Sequence, residues 1–100
     1  MAAINRADAR LTRSVELYHR SRSGLVACML VTDTYIISGM DNMVIHVLDR
    51  RNDRHRIFEG HTGGVWTLAV VNNMLISGST DMSVKLWNIQ SGYGHNFTVI

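Results

Sequence analysis

The sequence contains no proline and a single cysteine, Cys28. A lone cysteine cannot close an intrachain disulfide, so a cysteine-stapled extracellular scaffold is excluded and a reducing compartment, cytoplasm or nucleus, is expected. With no second cysteine, and five histidines that lack ligand spacing, no metal site is expected. Charge is also sparse, at 18% of residues and a net +2. Residues 1–23 set Arg6, Arg10, Arg13, Arg20 and Arg22 against Asp8 and Glu16, while residues 24–100 sum to −1. That asymmetry is too weak to indicate a nucleic-acid surface. No apolar stretch approaches the roughly 20 residues that cross a bilayer, and Met1–Arg10 has no apolar core of a secretory signal, so no membrane partner is expected. There is no glycine-rich phosphate loop and no carboxylate pair, hence no cofactor and no catalytic residues. What remains is a chain 46% hydrophobic, enough for a packed globular piece.

Two periodicities divide it. In residues 1–23, Ile4, Ala7, Leu11, Val15 and Tyr18 recur at helical steps, with Asn5 able to cap the start. This predicts a short N-terminal helix followed by a linker at Ser21-Arg22-Ser23-Gly24. From Leu25 the pattern changes to short strands: Val26–Val31, Tyr35–Ser38, Val44–Leu48 and Arg54–Phe58, then Val65–Val71, Met74–Ser77, Val84–Trp87 and Asn96–Ile100. Turn residues such as Asp41-Asn42, Asn72-Asn73, Thr80-Asp81 and Gly92-Tyr93-Gly94 separate them, with Gly94-His95 read as part of the last hairpin turn. The fold expected is all-β, as two four-stranded meanders.

The two meanders are copies. Sliding the chain on itself by 39 residues lays 24–49 over 63–88 without a gap. Seven of those 26 pairs are identical, including Gly24/Gly63, Val26/Val65, Ser38/Ser77 and Gly39/Gly78. Most others keep apolar character, which identities by chance would not do. Within the second copy a Gly-His pair (Gly60-His61) is followed by Asp81 and then Trp87. That combination resembles a WD-type propeller blade, a four-stranded sheet that needs neighbours to cover its faces. The chain thus divides into residues 1–23, a helix and linker, and residues 24–100, two WD40 blades (24–59 and 60–100) of a partial propeller.

Residue chemistry explains the motif. The His61 imidazole can donate to Asp81 on one side and meet the Ser77 hydroxyl on the other, while Ser77 accepts from the Trp87 indole. Such a relay satisfies each buried polar group and clamps a loop to three strands. The same trio of His, Asp and Ser is not a catalytic triad, because the serine falls inside a strand with no oxyanion donors beside it. In the first copy the corresponding residues are Arg22, Ser38, Asn42 and Leu48, so only the serine survives. Asp41, one position away, is a partial substitute, and packing of Val26, Met29, Ile36, Ile37, Ile45 and Val47 is expected to hold that blade. Cys28 reads as a small buried hydrophobe. The charged run at 49–56 reads as a solvated hairpin or as a patch for an acidic partner.

Gly60-His61-Thr62-Gly63-Gly64-Val65-Trp66, Ile76-Ser77-Gly78-Ser79-Thr80-Asp81 and Val84-Lys85-Leu86-Trp87-Asn88 together resemble the second blade of the F-box/WD-repeat substrate receptors of SCF ubiquitin ligases. Leu25–Cys28 and Tyr35–Asp41 similarly resemble the first blade. The resemblance implies a non-catalytic interaction module that captures phosphorylated degrons, with ubiquitin-ligase subunits as partners. Carried over by position, Trp66 and Thr80 match residues lining the pocket for the degron's proline, and Met82 stands where the family places a phosphate-contacting arginine. A generic WD scaffold, in which Trp66 is only inter-blade packing, is the alternative. The six further blades and the F-box of that family are not among these residues, so a fragment, a truncated frame and a short protein stay open. Two blades alone expose sheet faces, so self-association or aggregation of the isolated chain is expected.

Overall fold

The computed structural model describes residues 24–91 and the backbone of a strand at 94–98. The helix expected over residues 1–23 lies outside the described residues. Eight strands follow in order: β1 Val26–Val31, β2 Tyr35–Met40, β3 Ile45–Asp49, β4 His55–Phe58, β5 Val65–Val71, β6 Met74–Ser79, β7 Ser83–Asn88 and β8 Gly94–Thr98. They form two antiparallel four-stranded sheets, β1-β2-β3-β4 and β5-β6-β7-β8.

Alternation along the strands decides which face is buried. Leu30, Ile37 and Val47 are cross-strand neighbours in the first sheet, and Val70, Leu75 and Trp87 are cross-strand neighbours in the second, on the face opposite to the one the 39-residue repeat would match to the first row. These rows meet in a shared core where Tyr35, Ile37, Ile45, Val47 and Phe58 pack with Val65, Leu75, Trp87 and Ile89. Burying each such side chain is worth about 1.5–3 kcal/mol, so the seam between the sheets is where the fold gains most. Phe58 stacks on Trp87 across it at 5.3 Å between ring centroids. Arg56 adds a polar bolt, its guanidinium donating to the Ile89 carbonyl at 2.7 Å and to the Gln90 carbonyl.

Two expectations need correction. Val26 and Met29 do not pack the first blade: they are 40% and 48% exposed, because Cys28 and Leu30 take the inward positions of β1. Ile36, Ile37, Ile45 and Val47 are buried. Gly94-His95 is not turn but the start of β8, paired with Trp87 and Leu86. Glycine carries no strand signal, yet its backbone completes a ladder as well as any other. In addition, β1 and β5 each contain a bulge, between Val26 and Cys28 and between Val65 and Thr67. The two lie 39 residues apart, so the repeat extends to its irregularities.

In a meander the turns alternate between two edges. One edge carries the β2–β3 and β6–β7 turns with the segments leading into β1 and β5. The other carries the β1–β2, β3–β4, β5–β6 and β7–β8 connections. We call them the upper and lower edges.

Candidate functional site

The relay occupies the upper edge of the second sheet. Segment 59–64 brings His61 against β6 and β7, and its imidazole is buried. His61 Nδ1 lies 2.9 Å from Asp81 Oδ2, and Nε2 lies 2.7 Å from Ser77 Oγ. The Trp87 indole N–H donates to the same Ser77 oxygen at 2.8 Å. A carboxylate only accepts, so the proton sits on Nδ1. Nε2 must then accept from the Ser77 hydroxyl, whose lone pair is left for the indole. Ser77 is 0% exposed and committed on both sides, so it has no route to a substrate and no role as a nucleophile.

Asp81 is the most heavily used acceptor. Besides His61 it takes the Thr62 amide at 2.9 Å and the Ser83 amide at 2.8 Å, and the Ser83 hydroxyl donates to Oδ1. Desolvation pushes its carboxyl up, but hydrogen bonds from the Ser83 hydroxyl, the Thr62 amide and His61 outweigh that and hold it well below the usual carboxylate range. A depressed native pKa contributes stability that is whole above the ordinary value near 3.8 and is lost as pH falls below it. Melts of the chain and of Asp81→Asn should therefore differ at neutral pH and converge in acid below about pH 4. A gap that stays constant through that range would show that Asp81 gains nothing from ionisation.

Ser83 is the member that sequence reading misses. Its signal is Asp-x-Ser, in which a carboxylate accepts the amide two residues on, a common turn device that does not stand out alone. In the first blade a partial equivalent exists: Asp41 Oδ1 accepts the Leu25 amide at 2.7 Å, and the Asp41 amide donates to the Leu25 carbonyl at 2.9 Å. Asp41 thus pins the segment leading into β1 without a histidine or tryptophan.

Beside the relay, Trp66, Thr80 and Met82 come together around one open groove of about 410 Å³, which Thr67, Gly78 and Val84 floor. Trp66 is the residue inserted by the β5 bulge, and such an insertion re-aims a side chain. Trp66 is 56% exposed, its indole lying over Gly64, where a Cβ would come within 2.9 Å of Nε1. Thr80 is fixed from the other side, its amide donating to the Gly64 carbonyl at 3.0 Å. Gly63 permits that approach, since a Cβ there would meet Thr80 Oγ1 at 2.5 Å and the Asp81 amide nitrogen at 2.8 Å. Met82 is 69% exposed with φ of 72°, and Met43 takes φ of 81° at the same place in the first blade. Left-handed backbone is costly for such side chains, and the surrounding turns hold them there. No group of three potential metal ligands occurs among the described residues.

Residues 52–88 match the family model described as WD domain, G-beta repeat, and each four-stranded meander has the form of one such blade. The described chain is a WD40 repeat domain. It is similar to Cell division control protein 4 of Saccharomyces cerevisiae, with 38% identity over 85 residues, covering 77% of this chain and 11% of that protein. The probable E3 ubiquitin ligase complex SCF subunit sconB of Talaromyces stipitatus is 43% identical over 37 residues, covering 37% of this chain and 6% of that protein. Eukaryotic translation initiation factor 3 subunit I of Aspergillus terreus is 39% identical over 54 residues, or 52% of this chain and 16% of that one. The chain therefore spans a sixth or less of the length of each of these relatives. Among solved structures, the WD40 beta propeller domain of Doa1 superposes with a TM-score of 0.69 at 23% identity, covering 78% of this chain and 28% of that one. WD40 domains are typically non-catalytic protein-interaction scaffolds, and the buried, fully engaged Ser77 suits that role.

Proposed function

We propose that this WD40 domain acts within a substrate receptor that recruits phosphorylated proteins for ubiquitination, in the cytoplasm or nucleus, with its groove taking a proline-containing segment of the substrate. The observation that carries this reading is the groove itself. Its lining is predominantly apolar, and Trp66 presents an aromatic wall to solvent on a bulge that holds it there. A proline ring packs well on such a wall, and a buried aromatic anchor is the usual source of affinity in a peptide site. Similarity to Cell division control protein 4 and to the SCF subunit sconB supports the ligase context. Among the described residues no cationic side chain lines this groove, so these residues leave a phosphate on the peptide without a charged partner there. Met82→Arg should accordingly strengthen binding of a phosphopeptide through a charge-assisted contact.

The test is titration of a phosphothreonine-proline peptide. Trp66→Ala should weaken binding by about tenfold or more, the range of an aromatic hot spot. Unchanged affinity with the fold retained would overturn the reading. Similarity to the translation-factor subunit favours the second reading, a scaffold in which Trp66 packs against a further blade. Exposed Val71 and Met74 on the outer face of the second sheet support self-association of the isolated chain, which size-exclusion chromatography would register as a species larger than the monomer.

A further inference from the structure

The lower edge carries a second concavity that peptide capture on the upper edge does not use. Four arginines crowd residues 50–56 of the β3–β4 hairpin, with Asp53 the only acid among those seven. Their rim closes a cleft of about 210 Å³ whose floor is Tyr35, Val47 and Ile89 and whose walls include Arg51, Arg54 and Arg56. It adjoins a second cleft of about 290 Å³, with which it shares Tyr35, Arg51 and Gln90 and which runs on to Asn72 and Asn73. The two make one trough across the seam between the sheets.

Three of the guanidinium groups are already positioned. Arg50 donates to the Thr32 carbonyl at 2.7 Å and Arg56 to the Ile89 carbonyl at 2.7 Å. Arg51 is gripped by Asp49 through Nε at 3.1 Å and Nη2 at 2.8 Å, which leaves Nη1 to point elsewhere. Arg54, exposed at the rim, makes no side-chain hydrogen bond or ion pair among the described residues. In the first cleft three guanidinium groups face one carboxylate, Asp49, on a domain whose residues 24–100 sum to −1. A local reversal of sign selects an acidic ligand. Held guanidinium groups lose little side-chain freedom on binding, which favours affinity.

We propose that this trough is a docking surface for an acidic segment of a partner protein. A glutamate or aspartate carboxylate of the partner accepts from Arg54 and the free Nη1 of Arg51 at the rim of the cleft. A nucleic acid fits less well. Tyr35 is too buried to stack on a base, which removes the platform a single strand needs.

The experiment is a fluorescence-anisotropy titration of the full chain with a labelled peptide that alternates glutamate and leucine. Saturable binding is expected, weakening as salt is raised. Arg54→Glu should reduce affinity about tenfold or more, and the same peptide with lysine for glutamate should not bind. Trp66→Ala should leave this affinity unchanged, so the lower trough and the upper groove succeed or fail separately. Arg54 lies on an exposed hairpin, and tryptophan emission read in the Trp66→Ala background, where only buried Trp87 contributes, reports whether the variant is folded. If Arg54→Glu perturbs the fold, Arg54→Gln should still cause a smaller loss. The proposal is overturned by no saturable binding, by equal affinity for the lysine peptide, or by folded Arg54 variants that bind as the wild type does. Displacement of the peptide by inorganic phosphate at matched ionic strength, or tighter binding of a single-stranded oligonucleotide, would overturn it as well.

Discussion

Trp87→Ala should cost about 3–5 kcal/mol, the range for deleting a buried aromatic, and should leave the two sheets unable to melt as one unit. Trp87 is 4% exposed and serves two structures at once. Its ring stacks on Phe58 of the first sheet, so its loss opens a cavity in the seam. Its indole donates to Ser77, so the same change leaves a hydroxyl oxygen at zero exposure short of a donor. Trp87→Phe separates the effects, since a phenyl ring keeps much of the stack and removes only the indole N–H. It should cost about 1–2 kcal/mol. Thermal unfolding followed by near-ultraviolet dichroism reads both. Equal costs for the two variants would mean that the hydrogen bond within the second sheet, not the packing across the seam, accounts for the loss.

The second large effect belongs to His61. His61→Ala removes the donor to Asp81 and the acceptor for Ser77 together, and should cost about 1–3 kcal/mol. The loss should be local to the upper edge, because Thr62, Asp81 and Ser83 converge there. In the first blade the matching turn position is Asn42, and the pinning bond to Leu25 comes instead from Asp41. Asn42→Ala should therefore cost measurably less than His61→Ala. Equal destabilisation at the two positions would remove the distinction between the blades.

Much of this architecture is legible in the residues, for a physical reason. Strands buried on one face must alternate, and a repeat of 39 residues forces the same alternation twice. What escapes reading is whatever depends on backbone geometry and not on side-chain character. The bulges at Ala27 and Trp66 leave no mark in composition, yet the second one turns Trp66 to solvent. Exposure of Val26 and Met29 follows from the register shift at the first bulge together with the inward lean of Cys28 and Leu30. Gly94 reads as turn and lies in a strand, because pairing with Trp87 is a property of its peptide group. His61, Asp81 and Trp87 stand out by their spacing. Ser83 does not, although it contributes two of the hydrogen bonds that Asp81 accepts.

The chain has two tryptophans, and their indole N–H groups sit at the two ends of the structural argument. Trp87 is locked to Ser77 in the core, and Trp66 lies open over the groove. Magnetic resonance of the chain carrying isotope-labelled tryptophan, followed as a phosphothreonine-proline peptide is added, reads both at once. The Trp66 indole signal should move saturably with added peptide while that of Trp87 stays in place. A shift confined to Trp87, or no shift at either indole once peptide is in large excess, would contradict peptide capture by this edge of the domain.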